Sequence, residues 1–156
     1  MKRLLASCFG LGWLPLAPGT LGSLPPAIIF ALMCHFGASA MLTPIVMAAL
    51  ALAGSLVCIR FAPGIIAVTG KNDPREIVAD EFAGQAVTFI LIAAAPPFKA
   101  FTTAVVAFLL FRFFDIAKPW PIRKLEKLPS GWGILADDLM AAIYAAIGLW
   151  LCSAFF

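Results

Sequence analysis

Residues 4–59 contain no Asp, Glu, Lys or Arg, and no acid occurs before Asp73 or after Asp138. A water-soluble fold cannot stay uncharged over so long a stretch, because its core must be covered by polar surface at every turn of the chain. Composition agrees: 63% of the 156 residues are hydrophobic and 12% charged, with a mean hydropathy of +1.02. An ordinary soluble domain is about half apolar and roughly a quarter charged. The surplus apolar surface is therefore expected to face lipid.

A spanning helix needs about 20 mostly apolar residues. The first apolar segment begins after Leu24-Pro25-Pro26 and ends near Phe36, short enough to be half-buried or re-entrant. Others run from about Met41 to Phe61, Ile77 to Ala95, Phe101 to Ala117, and Leu139 to the C-terminus. Breaks are expected at Gly37-Ala38-Ser39, Pro63-Gly64, Pro96-Pro97, Pro119 and Pro129-Ser130-Gly131. The pattern predicts an all-α, multi-span helical membrane bundle of about four to five apolar helices, forming one unit over residues 1–156.

Because successive helices alternate direction, Asp80, Glu81, Asp115, Asp137 and Asp138 are all assigned to one end of the bundle. Ten of the eleven basic residues join them: Lys2, Arg3, Arg60, Lys71, Arg75, Arg112, Lys118, Arg123, Lys124 and Lys127, leaving Lys99 at the other end. The positive-inside rule makes the charged end cytoplasmic. Lys2-Arg3 followed by Leu5-Ala6-Ser7-Cys8 imitates a lipoprotein signal, but its apolar stretch falls short of the roughly 7–15 residues such a signal carries. The net charge of +3 does not indicate nucleic acid, since the basic residues interleave with acids instead of forming a basic face with aromatics.

Gathering five carboxylates at one end is costly without a cation: two of them about 4 Å apart repel by roughly 4 kcal/mol at an effective dielectric near 20. Oxygen ligands with no His or Cys partner favour magnesium or manganese over zinc. Helix capping accounts equally well for any single member of the set, because the dipole favours acids at helix starts. In Phe111-Arg112-Phe113-Phe114-Asp115-Ile116-Ala117-Lys118-Pro119, Arg112 and Lys118 offer a fork of donors and a point charge beside Asp115, as a phosphate requires. An interfacial ion pair with a snorkelling lysine has the same spacing.

Two further segments bear on anion binding. In Ala17-Pro18-Gly19-Thr20-Leu21-Gly22-Ser23, read as a turn before the first helix, Thr20, Gly22 and Ser23 present hydroxyls and open backbone to an anion. Ser130 to Asp138 reads as a flexible loop delivering Asp137 and Asp138 to a helix start, and Ala141, Ala142, Ala145, Ala146 and Gly148 beyond it read as a packing stripe. Asp73 and Glu126 rank second, as loop acids are usually solvated. Cys8, Cys34, Cys58 and Cys152 lack metal or redox spacing, and Cys34 and Cys152 read as two separate thiols at the far end. His35 falls far from the acids. No Cys is followed six positions later by Arg, and no Asp-x-Asp pair occurs, so the common cysteine and phosphoaspartate phosphatase routes are excluded.

Ala17 to Ser23, Asp73-Pro74 with Ile77-Val78-Ala79-Asp80-Glu81-Phe82-Ala83-Gly84, Phe111 to Ile122, and Gly131 to Asp138 occur in the order seen in the phosphatidylglycerophosphatase A family, which the chain resembles over nearly its whole length. Ala142 stands where that family often has Gly. The resemblance implies an all-helical, Mg2+-dependent lipid phosphatase of the bacterial inner membrane. Such an enzyme removes the terminal phosphate of phosphatidylglycerophosphate at the cytoplasmic face, giving phosphatidylglycerol for phospholipid biosynthesis. Together with the residue reading, this makes Asp80, Glu81, Asp115, Asp137 and Asp138 the metal and catalytic set, with Thr20, Gly22, Ser23, Arg112 and Lys118 on the phosphate. The competing readings are a small cation- or proton-coupled transporter using the same acids and a non-catalytic membrane assembly subunit.

Overall fold

The computed structural model describes residues 1–92 and 99–153. These form seven α-helices and one 3-10 turn, with no strand: α1 (Lys2–Ala6), the turn Leu11–Trp13, α2 (Pro18–His35), α3 (Leu42–Thr69), α4 (Ala79–Ile90), α5 (Ala100–Ala117), α6 (Ile122–Leu125) and α7 (Gly131–Ser153). The fold is all-helical, as the apolar segmentation predicts. The expected end of the third segment near Ala95, the Pro96-Pro97 break and the last residues of the chain lie outside the described residues.

Helices run through two of the expected interruptions, Leu24-Pro25-Pro26 and Pro63-Gly64. α2 starts at Pro18 and contains Pro25 and Pro26, while α3 continues past Pro63 and Gly64 to Thr69. α7 begins at Gly131, so Asp137 and Asp138 lie within the helix and are not delivered by a loop. In lipid a chain that leaves the helix finds no water for its freed backbone groups, so proline is tolerated where water would favour a break. Pro18 also occupies a first-turn position, where its missing N–H costs nothing. The ends of α3 and α5 have local causes: Gly70, not among the expected breaks, adopts φ +67° and returns its N–H to Ile66 O (2.8 Å), and Lys118, at φ +43°, precedes the expected break at Pro119.

Two apolar clusters show how the helices are stacked. One joins Cys58, Ala62 and Ile65 of α3 to Ala79 and Ala83 of α4 and to Ile134 and Leu135 of α7. The other joins Ala27 and Phe30 of α2, Met47 of α3, Phe89 of α4, Ala100 to Ala107 of α5, and Leu149 of α7. Late α3 thus meets early α4 and early α7 at one end, and the opposite termini meet at the other. This is the alternating arrangement that gathers the acids.

α4 is the hub, packed against α2, α3, α5 and α7. Small residues permit the approach: a Cβ at Gly84 would come within 2.8 Å of the Phe111 ring, and Ala141, Ala142 and Ala145 of α7 are fully buried beside Phe111. Phe30 and Phe89 stack at 4.2 Å across the far cluster. Outward, Leu52, Leu56, Leu109, Phe113, Ile147 and Trp150 are exposed, an apolar belt suited to lipid. α3, α5 and α7 are the three helices among the described residues long and apolar enough to cross a membrane. The expected apolar helices are present as α2, α3, α4, α5 and α7; with 12 residues, α4 is about 18 Å long and does not by itself reach across a hydrocarbon core of about 30 Å.

Candidate active site

The first turn of α4 is anchored from outside. The Val78 N–H donates to Ala6 O (3.0 Å), and Gly12 lies so close to the Glu76 backbone that a methyl group there would overlap it. This anchoring presents Asp80 and Glu81 inward. One carboxylate oxygen from each of Asp80, Glu81 and Asp138 lies within 4.8 Å of the other two. Asp80 is 4% and Asp138 3% exposed, so water gives these acids little relief. Two unit charges at 4.8 Å repel by about 3.5 kcal/mol at an effective dielectric of 20.

The nearby basic residues are engaged elsewhere. Arg112 Nη1 pairs with Asp115 at 2.6 Å and donates to Ser23 Oγ at 3.4 Å. Lys118 Nζ pairs with Asp137 at 2.6 Å and reaches Glu126 at 3.4 Å. Among the described residues, then, no ion pair neutralises the Asp80, Glu81 and Asp138 triad, and Asp80 Oδ1 and Glu81 Oε2 are buried without a hydrogen-bond donor. Three convergent carboxylates with orphaned oxygens fit a hard divalent cation, whose charge and appetite for oxygen resolve both deficits.

Asp137 and Asp138 diverge, as adjacent helical residues must. Asp138 joins the triad, while Asp137 accepts from Lys118 and, through Oδ1, from the Asp138 N–H (3.1 Å). Asp115 bridges the two regions, pairing with Arg112 while its carboxyl faces that of Asp138. Burial opposes the Lys118 charge, but the hydrogen bond and charge of Asp137 outweigh it and hold the ammonium above its ordinary pKa. Lys118 is therefore a permanent cation here.

The Ala17 to Ser23 motif is the first turns of α2 and not a turn before the helix. Leu21 N–H reaches back to Ala17 O (3.1 Å), and helix geometry leaves the Gly19 and Thr20 N–H groups without a helical acceptor. Gly19 faces the acids directly: a methyl group on it would overlap Glu81 Oε1 and lie 3.1 Å from Arg112 Nη2. Ser23 donates to Gly19 O (2.8 Å), Gly22 packs on Val78, and Thr20 is half-buried in the same turn. A helix N-terminus, a guanidinium and a carboxylate cluster therefore adjoin one another.

Sequence reasoning passed over Gln85. It is fully buried, neither atom of its amide has a partner, and it lies one helical turn beyond Glu81. The available signal was an amide in the otherwise apolar run after Gly84. Cys8 lies close by, but burial first and the Asp80 charge second push its thiol up to about 12, which keeps it protonated and poorly nucleophilic. Asp73 is exposed, Glu126 reaches Lys118 at 3.4 Å at the edge of the site, and His35 is exposed at the far end of α2.

The family model described as Phosphatidylglycerophosphatase A matches residues 4–153. A Haemophilus influenzae protein named Phosphatidylglycerophosphatase A is 44% identical over 147 residues, covering 93% of this chain and 84% of the relative. A Bacteroides thetaiotaomicron protein, provisionally named a phosphatidylinositol-3-phosphatase, is 35% identical over 149 residues, covering 92% and 88%. An Escherichia coli protein named Phosphatidylglycerophosphatase A is 34% identical over 145 residues, covering 92% and 78%. No solved structure matches the chain at a significant level.

Proposed function

Because the chain belongs to the phosphatidylglycerophosphatase A family and is a phosphatase, we propose that it hydrolyses phosphatidylglycerophosphate to phosphatidylglycerol and inorganic phosphate, with Mg2+, in phospholipid biosynthesis. The observation that carries the metal-assisted reading is the buried Asp80, Glu81 and Asp138 triad, which no ion pair among the described residues neutralises.

Asp80, Glu81 and Asp138 would hold the ion, with Asp115 and Asp137 completing the acidic set. Bound there, Mg2+ supplies Lewis acidity toward the phosphoryl oxygens. Arg112 and the Gly19 and Thr20 N–H groups orient the phosphomonoester, donating to oxygens whose charge grows as the P–O bond breaks, while Gly22 against Val78 and Ser23 bonded to Gly19 O shape the turn that presents them. Asp115, between Arg112 and Asp138, accepts a proton from the attacking water. Lys118, fixed by Asp137, places a positive charge near the leaving alkoxide.

Residues 1–156 act in this reading as one membrane-embedded unit in the bacterial inner membrane. Its charged end faces the cytoplasm, supported by the basic residues gathered there against Lys99 alone at the other end. Purified protein is expected to release phosphate from phosphatidylglycerophosphate with Mg2+, to stop on chelation, and to resume when Mg2+ is restored. Undiminished release under chelation contradicts the metal assignment, and cation flux in liposomes without release favours the transporter. For orientation, Ser130→Cys in a chain whose native cysteines are serine should react with an impermeant maleimide only after the cells are opened. Labelling of intact cells reverses the orientation.

A further inference from the structure

Beside the acidic site lies a concavity of about 400 Å³, walled by Trp13, Pro18, Thr69, Lys71, Arg75 and Glu76. Its walls are fixed by the contacts that anchor α4, with Gly12 against the Glu76 backbone and Val78 bonded to Ala6 O. Its charge is lopsided. Glu76 is the one acid on the wall, and it is drawn toward Arg3 at 3.7 Å, whereas Lys71 and Arg75 have no ion pair among the described residues. Trp13 and Leu14 on its wall are exposed, so its rim suits the headgroup layer, where tryptophan and leucine meet lipid while arginine meets phosphate.

The two sites adjoin through the start of α2: Pro18 lines the pocket, and the next residue, Gly19, touches Glu81 and Arg112. On the reading that the substrate is a glycerophospholipid with a terminal phosphomonoester, that substrate carries a second anion, the phosphodiester nearer its acyl chains. We propose that this pocket is the phosphodiester subsite, in which Arg75 and Lys71 grip the lipid's diester phosphate against Trp13 while its monoester lies across the first turn of α2 at Arg112. The proposal rests on the phosphatase reading for its ligand, and it makes Arg75 and Lys71 specificity residues for phosphate attached to a membrane lipid.

The test uses the full chain in non-ionic detergent micelles doped with phosphatidylglycerol, which has the diester and lacks the monoester. Binding is expected to weaken about tenfold in the Arg75→Gln, Lys71→Gln double variant, the loss of one or two charge-assisted hydrogen bonds. Glu76→Gln should tighten it, a change of opposite sign that an unfolded protein cannot produce. KM for phosphatidylglycerophosphate should rise with the double substitution. Unaltered phosphatidylglycerol binding in both variants overturns the proposal, as does displacement of the lipid by equimolar glycerol 3-phosphate or inorganic phosphate, which would make the pocket a site for small phosphates. Because phosphatidylglycerol binding is read without turnover, absence of phosphate release would fell the phosphatase reading while this measurement still judged the pocket.

Discussion

Asp138→Asn is expected to lower phosphate release by about 10³-fold or more while making the metal-free protein more stable. The triad accounts for both signs. With cation bound, Asp138 completes a set of three carboxylates, and losing one ligand charge removes several kcal/mol of the electrostatic stabilisation that the reaction needs, each 1.36 kcal/mol being about tenfold in rate. Without cation, burial and two carboxyl neighbours within 4.8 Å disfavour a charge on Asp138, and the amide removes that cost. Sites arranged for function commonly sacrifice stability in this way. Thermal denaturation in chelator should place the variant's midpoint a few degrees above the parent's, and adding Mg2+ should raise the parent far more than the variant. Parent-like turnover, or a metal-free variant less stable than the parent, would contradict the assignment.

Gly19→Ala should cost about 10²-fold in turnover without unfolding the bundle. An alanine in a helix is better by about 1 kcal/mol than a glycine, so local propensity favours the variant. The new methyl group, however, occupies the position of Glu81 Oε1 and crowds Arg112 Nη2, so Glu81 must swing away from Asp80 and Asp138. A displacement of about 1 Å in a catalytic group can cost 10²-fold. Comparing turnover with melting temperature separates the two effects. A variant that loses activity and stability in parallel would show Gly19 to be a packing residue, and one that keeps full activity would show that Glu81 is dispensable at its observed position.

Much of this architecture is legible in the sequence because charge in a lipid-facing chain has few places to go. The uncharged run of residues 4–59 and the confinement of acids to residues 73–138 are enough to assign ends to the helices, and the cluster of late α3, early α4 and early α7 has that arrangement. What the sequence conceals is how local breakers behave outside water. Pro25, Pro26 and Pro63 read as stops, yet each lies inside a helix, because proline rules learned in water assume a solvent ready to receive the freed carbonyl. Glycines mislead in a similar way: Ser130 to Asp138 reads as a loop and Ala17 to Ser23 as a turn, yet α7 begins at Gly131 and α2 at Pro18. Within the site, spacing shows that Asp137 and Asp138 point apart but not which of them meets Lys118, since that choice depends on how α7 rotates against α5. Gln85 escapes for a related reason: nothing along the chain reveals that its amide will be buried unpartnered beyond Glu81.

The shortness of α4 bears on how such a protein is made. A 12-residue helix with two acids in its first turn is a poor membrane segment on its own, the more so because an acid within a spanning helix costs about 2.5–3.5 kcal/mol at insertion. It becomes stable only where α2, α3, α5 and α7 surround it, and α5 and α7 are synthesised later. Asp80 and Glu81 are therefore made before Asp138 exists to meet them. The order of translation separates the halves of the acidic cluster, which is complete only once α7 has docked as the last helix of the bundle.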